Sequence, residues 1–164
     1  MNAIAAVSLS WGIGKDNQLL FHISADLQRF RAMTSGGTVI MGRKTLDSLP
    51  GGQPLPHRRN IVLTRSPDFH REGVETARSV EEALELVRGE DPEKVWVMGG
   101  GEIYAAFLPY CSRCAITRVY QDPACDTFFP NLDAMPEWRV FRSEAILLEG
   151  ETAYQFIEYA RREP

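Results

Sequence analysis

The stretch KVWVMGGGEIYAAFLP, residues 94–109, decides how the rest of the chain is read. Val95 to Met98 are apolar without alternation, as in a strand buried on both faces. Gly99, Gly100 and Gly101 follow at once, and EIYAAFL then reads as a helix that Pro109 stops. A plain turn needs one or two glycines. Three in a row at a strand end let a ligand approach the backbone, with a pyrophosphate at the helix N-terminus. Tyr104, near the start of that helix, is placed to line the same cleft.

Working upstream, Ala3–Leu9, Thr38–Met41, Asn60–Leu63 and the weaker Val74–Ala77 read as further strands. Gly42 follows the second of these, and Arg43, Lys44 and Thr45 open a short helix, KTLDSL. A glycine and two cations at a helix start make an anion-binding arrangement, though without P-loop spacing. Thr64, Arg65 and Ser66 at the end of the third strand suggest a second phosphate contact. The turn PGGQPLPHRR (50–59) is rigid; Leu55 can face a ligand, and one of Arg58 and Arg59 can clamp a carboxylate. Ser79–Arg88 is a scaffold helix with a Ser79/Glu82 capping box and Gly89 as its stop. Downstream, Arg113–Gln121, Trp138–Ser143 and Ala153–Arg161 read as longer strands forming an antiparallel edge on a parallel sheet. CDTFFP (125–130) reads as loop.

Near the N-terminus, SWGIGKDNQ (10–18) carries two glycines, but Asn17 stands where a dinucleotide fingerprint needs a third. It reads either as a lid over a site or as an ordinary surface turn. LLFHISADLQRF (19–30) and Arg31 follow. Ser24 is expected to cap a helix in which Asp26, Leu27, Phe30 and Arg31 form one stripe. Asp26 alone would be an ordinary acid of a first helical turn. Amid this much apolar surface, a carboxylate is costly to bury unless something uses it.

The 164 residues suit one domain, 1–164, with a core and a ligand cleft. Net charge is −4 with no basic run, which argues against a nucleic-acid or anionic-membrane surface. There is no signal-peptide pattern and no apolar run of about 20 residues. Cys111 and Cys114 form a lone C-x-x-C without a second pair or nearby histidine, so no metal site is expected. The composition points to a cytoplasmic protein, and a monomer is assumed.

Taken in order, the I-A-A strand, G-x-x-x-x-N, A-D-L-x-x-F-R, V-I-M-G-R-K-T, P-L-P-x-R-x-N, V-M-G-G-G-x-x-Y and D-T-F-F-P resemble the dihydrofolate reductase family over essentially the whole chain. Each motif is weak alone; seven in order are specific. The resemblance implies an α/β fold with a mainly parallel eight-stranded sheet, an antiparallel C-terminal edge and four flanking helices. It implies reduction of 7,8-dihydrofolate to tetrahydrofolate by hydride transfer from NADPH, with a proton added to the neighbouring ring nitrogen.

Carried onto matching positions, the resemblance makes Asp26 the acid against the pterin, held by Thr117, with Phe21 and Leu19 at the same catalytic end. Ile4, Ala6, Leu27, Phe30, Leu49, Leu55, Met98 and Tyr104 would line the substrate side. Arg58 would grip the α-carboxylate, with Arg31 near the glutamate tail. Gly42, Arg43, Lys44, Thr45, Leu63, Thr64 and Arg65 would hold the adenosine phosphates. Gly99, Gly100, Gly101, Glu102 and Ile103 would receive the pyrophosphate and nicotinamide ribose, with a cis bond between the first two glycines. Ala6, Ile13, Gly14 and Asn17 would lie toward the nicotinamide side, and Asp126 and Thr127 would steady the lid. Two departures stand out. Phe21 replaces a tryptophan whose N–H can hold a water, and Glu102 stands where some relatives carry a cation. A riboflavin-pathway reductase on the same fold would explain the glycines but not Asp26 with Arg58. A catalytically silent NADPH- or folate-binding protein is the alternative outside enzymes.

Overall fold

The computed structural model describes residues 1–162; Glu163 and Pro164, the end of the expected 1–164 domain, lie outside them. The elements are β1 (Asn2–Val7), β2 (Gly12–Lys15), β3 (Gln18–Leu19), α1 (Ser24–Thr34), β4 (Thr38–Gly42), α2 (Arg43–Ser48), β5 (Arg59–Leu63) and β6 (Val74–Ala77). They continue with α3 (Val80–Leu86), β7 (Val95–Val97), α4 (Gly101–Phe107), β8 (Arg113–Val119), β9 (Thr127–Phe128), β10 (Trp138–Ser143), β11 (Leu147–Glu149) and β12 (Thr152–Arg161).

The main sheet runs β10-β12-β8-β1-β7-β4-β5-β6, with β11 added beside β12. From β8 through β6 every pairing is parallel, and only β10, β11 and β12 are antiparallel. The antiparallel edge therefore begins one strand later than the sequence suggests. β8 pairs parallel to β1 on one side and antiparallel to β12 on the other.

The continuous apolar runs of β4, β5, β7 and β8 serve two cores, because successive strand residues point to opposite faces. Ile40, Ile61, Val97 and Ile116 join one cluster, with Ala83 of α3 and Phe107 of α4. Val39, Met41, Val62, Trp96 and Ala115 join the other, with Leu46 of α2 and Met33 of α1. The two layers are unequal. Only Thr34 of α1 is buried, so the α1 face is thin, and Ile4, Leu49, Leu55 and Met98 flank it half-buried.

Three local expectations are corrected. Residues 10–18 do not form a plain loop: β2 pairs with β3 and also with β9, which falls inside the segment read as loop. Pairing to a distant partner makes strands of segments too short and glycine-rich to announce themselves. Ile23, not Ser24, occupies the N-cap of α1, without a side-chain hydrogen bond of its own. The cap comes from afar: the Glu149 carboxylate accepts from Ser24 N at 3.0 Å and Ala25 N at 3.4 Å. The Ser79 cap of α3 does form, accepting from Glu82 N.

Candidate active site

The two glycine turns come together because β4 and β7 are parallel neighbours and both feed helices at the C-terminal end of the strands. Gly42 N–H donates to Gly99 O at 2.8 Å, tying one turn to the other. The Gly99–Gly100 peptide is cis, and Gly99 has φ +114°. A Cβ on Gly99 would stand 3.0 Å from the Tyr104 ring, and one on Gly101 would stand 2.9 Å from Thr127 Cγ2. One on Gly42 would press Ile103 Cγ1 at 3.1 Å. The site thus needs glycine for closeness as well as for conformation. Neither α2 nor α4 has a side-chain cap, so the first N–H groups of both helices keep free hydrogen-bonding capacity toward the crevice.

Cations ring this crevice. Arg43 bonds Asp47 at 3.3 Å and lies over the Phe69 ring at 4.0 Å. Lys44 and Arg65 are exposed and make no ion pair among the described residues. Thr64 Oγ1 accepts from Ser66 N at 3.2 Å, shaping the turn that presents Arg65. Leu63 lies half-buried at the end of β5, Gly100 lies near Thr45 Oγ1, and Glu102 is exposed in the first turn of α4. Free backbone donors, close-approach glycines and unpaired cations are a donor set that fits a dinucleotide carrying several phosphates.

On the thin face of the sheet, Asp26 meets β8. The Thr117 hydroxyl donates to Asp26 Oδ1 at 2.5 Å. Burial raises the Asp26 pKa above the ordinary carboxylate value; the Thr117 bond and the Arg29 charge pull it partway back. Oδ2 has no protein partner among the described residues. Thr117 sits opposite Ala6 of β1 in register. On this face Ile4, Leu49, Leu55 and Met98 pack half-buried against the Val39, Met41 and Ala115 cluster, Phe30 of α1 is half-buried, and Leu27 is 51% exposed. Buried Tyr104 donates its hydroxyl to Ile4 O at 2.6 Å and packs on Phe129.

Arg58 and Arg31 lie close enough for their charges to interact, and neither has a carboxylate partner among the described residues. Arg58 donates to Pro56 O at 2.9 Å and to Thr34 Oγ1 at 3.1 Å, with its guanidinium 5.9 Å from the Phe30 ring. Burial and the Arg31 charge both lower its pKa. Two unneutralised guanidinium groups at the end of an apolar cleft suit an anionic ligand tail. Arg59 is different: its side chain is engaged by Glu75 and Glu90. Of the two arginines, only Arg58 is without a carboxylate partner among the described residues.

The 10–18 segment, read as a lid or a surface turn, is fastened to the segment around Asp126. Asp126 N donates to Gly14 O at 3.0 Å, and Asp126 Oδ2 accepts from Asp16 N at 3.0 Å. That N–H holds the Asp126 carboxyl below its ordinary value. Ile13 is buried; Asn17 turns at φ +62° beside Asp16 at φ +52°. Leu19 is 61% exposed, and Phe21 packs against Ile23, Val119 and Tyr154. Two contributors escaped the sequence reading. Thr34, which orients Arg58, carries no motif, and Glu149, the cap of α1, lies 125 residues from its partner.

Comparison with known proteins agrees with this geometry. The family model for dihydrofolate reductase matches residues 1–161. The chain is 41% identical to a dihydrofolate reductase of Neisseria meningitidis serogroup A over 96% of each chain. It is 36% identical to that of Bacillus subtilis over 92% of this chain and 88% of the relative. A solved dihydrofolate reductase from Enterococcus faecalis, complexed with NADP(H) and RAB-propyl, superposes with TM-score 0.88 at 32% identity, covering 99% of this chain and 96% of that one. With the sheet order, the tied glycine turns and the paired Asp26 and Thr117 all inside the matched span, the chain belongs to the dihydrofolate reductase family.

Proposed function

We propose that Asp26 is the group through which this chain promotes protonation of dihydrofolate, with Thr117 holding it and Arg58 gripping the substrate's carboxylate. The family assignment makes the protein an NADPH-dependent oxidoreductase that reduces dihydrofolate to tetrahydrofolate. NADPH supplies the hydride when bound. Its phosphates are assigned to Gly42, Arg43, Lys44, Thr45, Thr64 and Arg65, and its pyrophosphate and ribose to Gly99–Gly101.

The observation that carries the reading is the 2.5 Å Thr117–Asp26 hydrogen bond on the thin apolar face. It occupies one carboxylate oxygen and leaves the other to meet donor groups of the pterin. Partial desolvation raises the pKa, so the carboxyl exchanges a proton nearer neutral pH than an exposed aspartate does. The half-buried Ile4, Phe30, Leu49, Leu55 and Met98 are assigned to the substrate side, where they would exclude water from the flat substrate. Phe21 offers no donor for an ordered water, so this chain holds none through that side chain.

An absorbance assay of NADPH consumption tests the reading, run with dihydrofolate, without it, and with a pyrimidine substrate of a riboflavin-pathway reductase. Turnover with dihydrofolate alone supports it; turnover with the pyrimidine, or with neither, removes it. We further propose a single-domain cytoplasmic monomer acting on small molecules, with sedimentation as the check on size.

A further inference from the structure

Helix α1 carries Asp26 but is weakly anchored: 11 residues, one of them buried, and an N-cap isoleucine without a side-chain bond. What holds it comes largely from the C-terminal strands. Arg29 lies 4.1 Å from the centre of the Phe156 ring and 3.8 Å from Glu144. Phe156 itself stands opposite Thr117 in the β12–β8 register. The Arg29–Glu144 pair is long and its carboxylate is exposed, so it contributes little. The Glu149 carboxylate is different. It takes the N–H groups of Ser24 and Ala25, the two residues immediately before Asp26.

The position of Glu149 is itself fixed. It ends β11, pairs with Thr152, and is followed by Gly150 at φ +61° in a two-residue turn. It is half-buried, whereas its neighbour Leu148 is 71% exposed. A carboxylate at a helix N-terminus satisfies orphan donors and complements the helix dipole. Here it does so one residue from the acid. Without it, the first turn has no side-chain acceptor and is free to fray, and Asp26 lies within that turn.

We infer that Glu149 is a positioning residue for Asp26: by capping α1 from the β11–β12 hairpin, it holds the carboxyl against Thr117 in the orientation that serves the substrate. The inference rests on the reading of Asp26 given above. A small displacement of a catalytic group is expensive in rate, so the effect should appear in turnover of dihydrofolate and not in cofactor binding.

The test uses the full chain with Glu149→Ala and Glu149→Gln, each made in the parent and in an Asp26→Asn background. Glu149→Ala should lower kcat/KM for dihydrofolate by roughly threefold to tenfold, in line with loss of a helix cap, and leave the KM for NADPH unchanged. Glu149→Gln keeps an acceptor oxygen and should recover activity to within about twofold of the parent. In the Asp26→Asn background, Glu149→Ala should have almost no further effect on turnover. Should Glu149→Ala fail to fold, Glu149→Met, which keeps the length of the side chain but has no acceptor oxygen for Ser24 N and Ala25 N, reads the same coupling in the two backgrounds. Unchanged kinetics with only a lower Tm would overturn the proposal, as would an equal loss in both backgrounds or a raised KM for NADPH. If Asp26→Asn alone were fully active, the reading of Asp26 would fall. If Asp26→Asn were crippled while Glu149→Ala turned over normally, only the role of Glu149 would.

Discussion

The two halves of the cleft are built on one mainly parallel sheet but work by opposite physics. On the α1 side a single carboxyl sits half-buried among apolar side chains, held by one short bond from Thr117. On the α2 and α4 side, exposed cations surround glycine turns, and Lys44 and Arg65 are unpaired among the described residues. Desolvation makes the first half strong per residue and sensitive to pH. Exposure makes the second half a sum of small terms that salt screens. Mutations should therefore separate the halves by size of effect.

The largest effect belongs to Asp26. Asp26→Asn keeps the shape and an acceptor for Thr117 but cannot ionise, so kcat/KM at neutral pH should fall by roughly 10²–10⁴-fold. The loss should shrink at low pH, where solvent supplies protonated substrate. In the parent, activity should decline as pH rises through the raised Asp26 value. The same substitution should stabilise the fold. A carboxyl whose native pKa exceeds its unfolded value binds its proton more tightly when folded. Stability then falls as pH rises from the ordinary 3.8 through the native value, and the full penalty is present at neutral pH. Thermal melts should place Asp26→Asn above the parent at neutral pH, with the gap closing in acid. Full activity of the variant, or a lower Tm at neutral pH, would contradict a desolvated working acid.

Next comes Arg58, at the same half but at its exposed end. Its contact with Thr34 orients the guanidinium without neutralising it. A charge-assisted pair contributes about 1.5–3 kcal/mol, so Arg58→Leu should raise the KM for dihydrofolate by roughly 10- to 100-fold. The KM for NADPH should stay put, and Arg58→Lys should restore only part, because an ammonium cannot reproduce the planar fork. An unmoved KM for dihydrofolate would return Arg58 to the status of a surface charge.

The same contrast explains what could be read in advance. The cofactor half is local in sequence: strand, glycines and helix start lie within a few residues, so V-M-G-G-G and M-G-R-K-T were legible as sites. The buried strands were legible because apolar runs of four announce burial on both faces. The substrate half is assembled from distant pieces. Thr117 meets Asp26 across 91 positions, and neither residue states it alone; only the family resemblance joined them. Ser24 looked like a cap because serine usually is one, yet Glu149 outbids it from 125 positions away. β2 and β9 read as loop in the sequence because two-residue pairings leave no periodicity.

A smaller effect should come from the seam where α4 meets β9. Gly101→Ala gains helix propensity, but its Cβ would meet Thr127 Cγ2 at 2.9 Å and the Phe128 carbonyl at 3.1 Å. A backbone carbonyl cannot rotate away, so β9 must shift, and overpacking of this kind costs about 1–3 kcal/mol. Because β9 pairs with β2, the 10–18 segment should loosen with it. A melt should show a lower Tm, and the KM for NADPH should rise a few-fold. An equal or higher Tm would mean that the seam yields freely.

The smallest effect belongs to Arg65, and it tests the exposed half directly. Cofactor preference should favour NADPH over NADH by at least about tenfold in kcat/KM, the size expected of charge-assisted contacts to one phosphate. No single cation should account for it. Arg43 already shares its charge with Asp47 and its face with Phe69, and Glu102 opposes the sum from the first turn of α4. Arg65 is the freer cation, presented by the Thr64–Ser66 turn. Exposed charges are screened and mobile, so Arg65→Ala should reduce the NADPH-to-NADH ratio by only about three- to tenfold. The reduction should come through the KM for NADPH, with NADH and dihydrofolate kinetics untouched. Raising the salt concentration should shrink the parent's preference toward that of the variant. The measurement is the ratio for both proteins at low and high ionic strength. A ratio that Arg65→Ala leaves unchanged at low salt would place the 2′-phosphate elsewhere on the rim and end the division between one buried charge and many exposed ones.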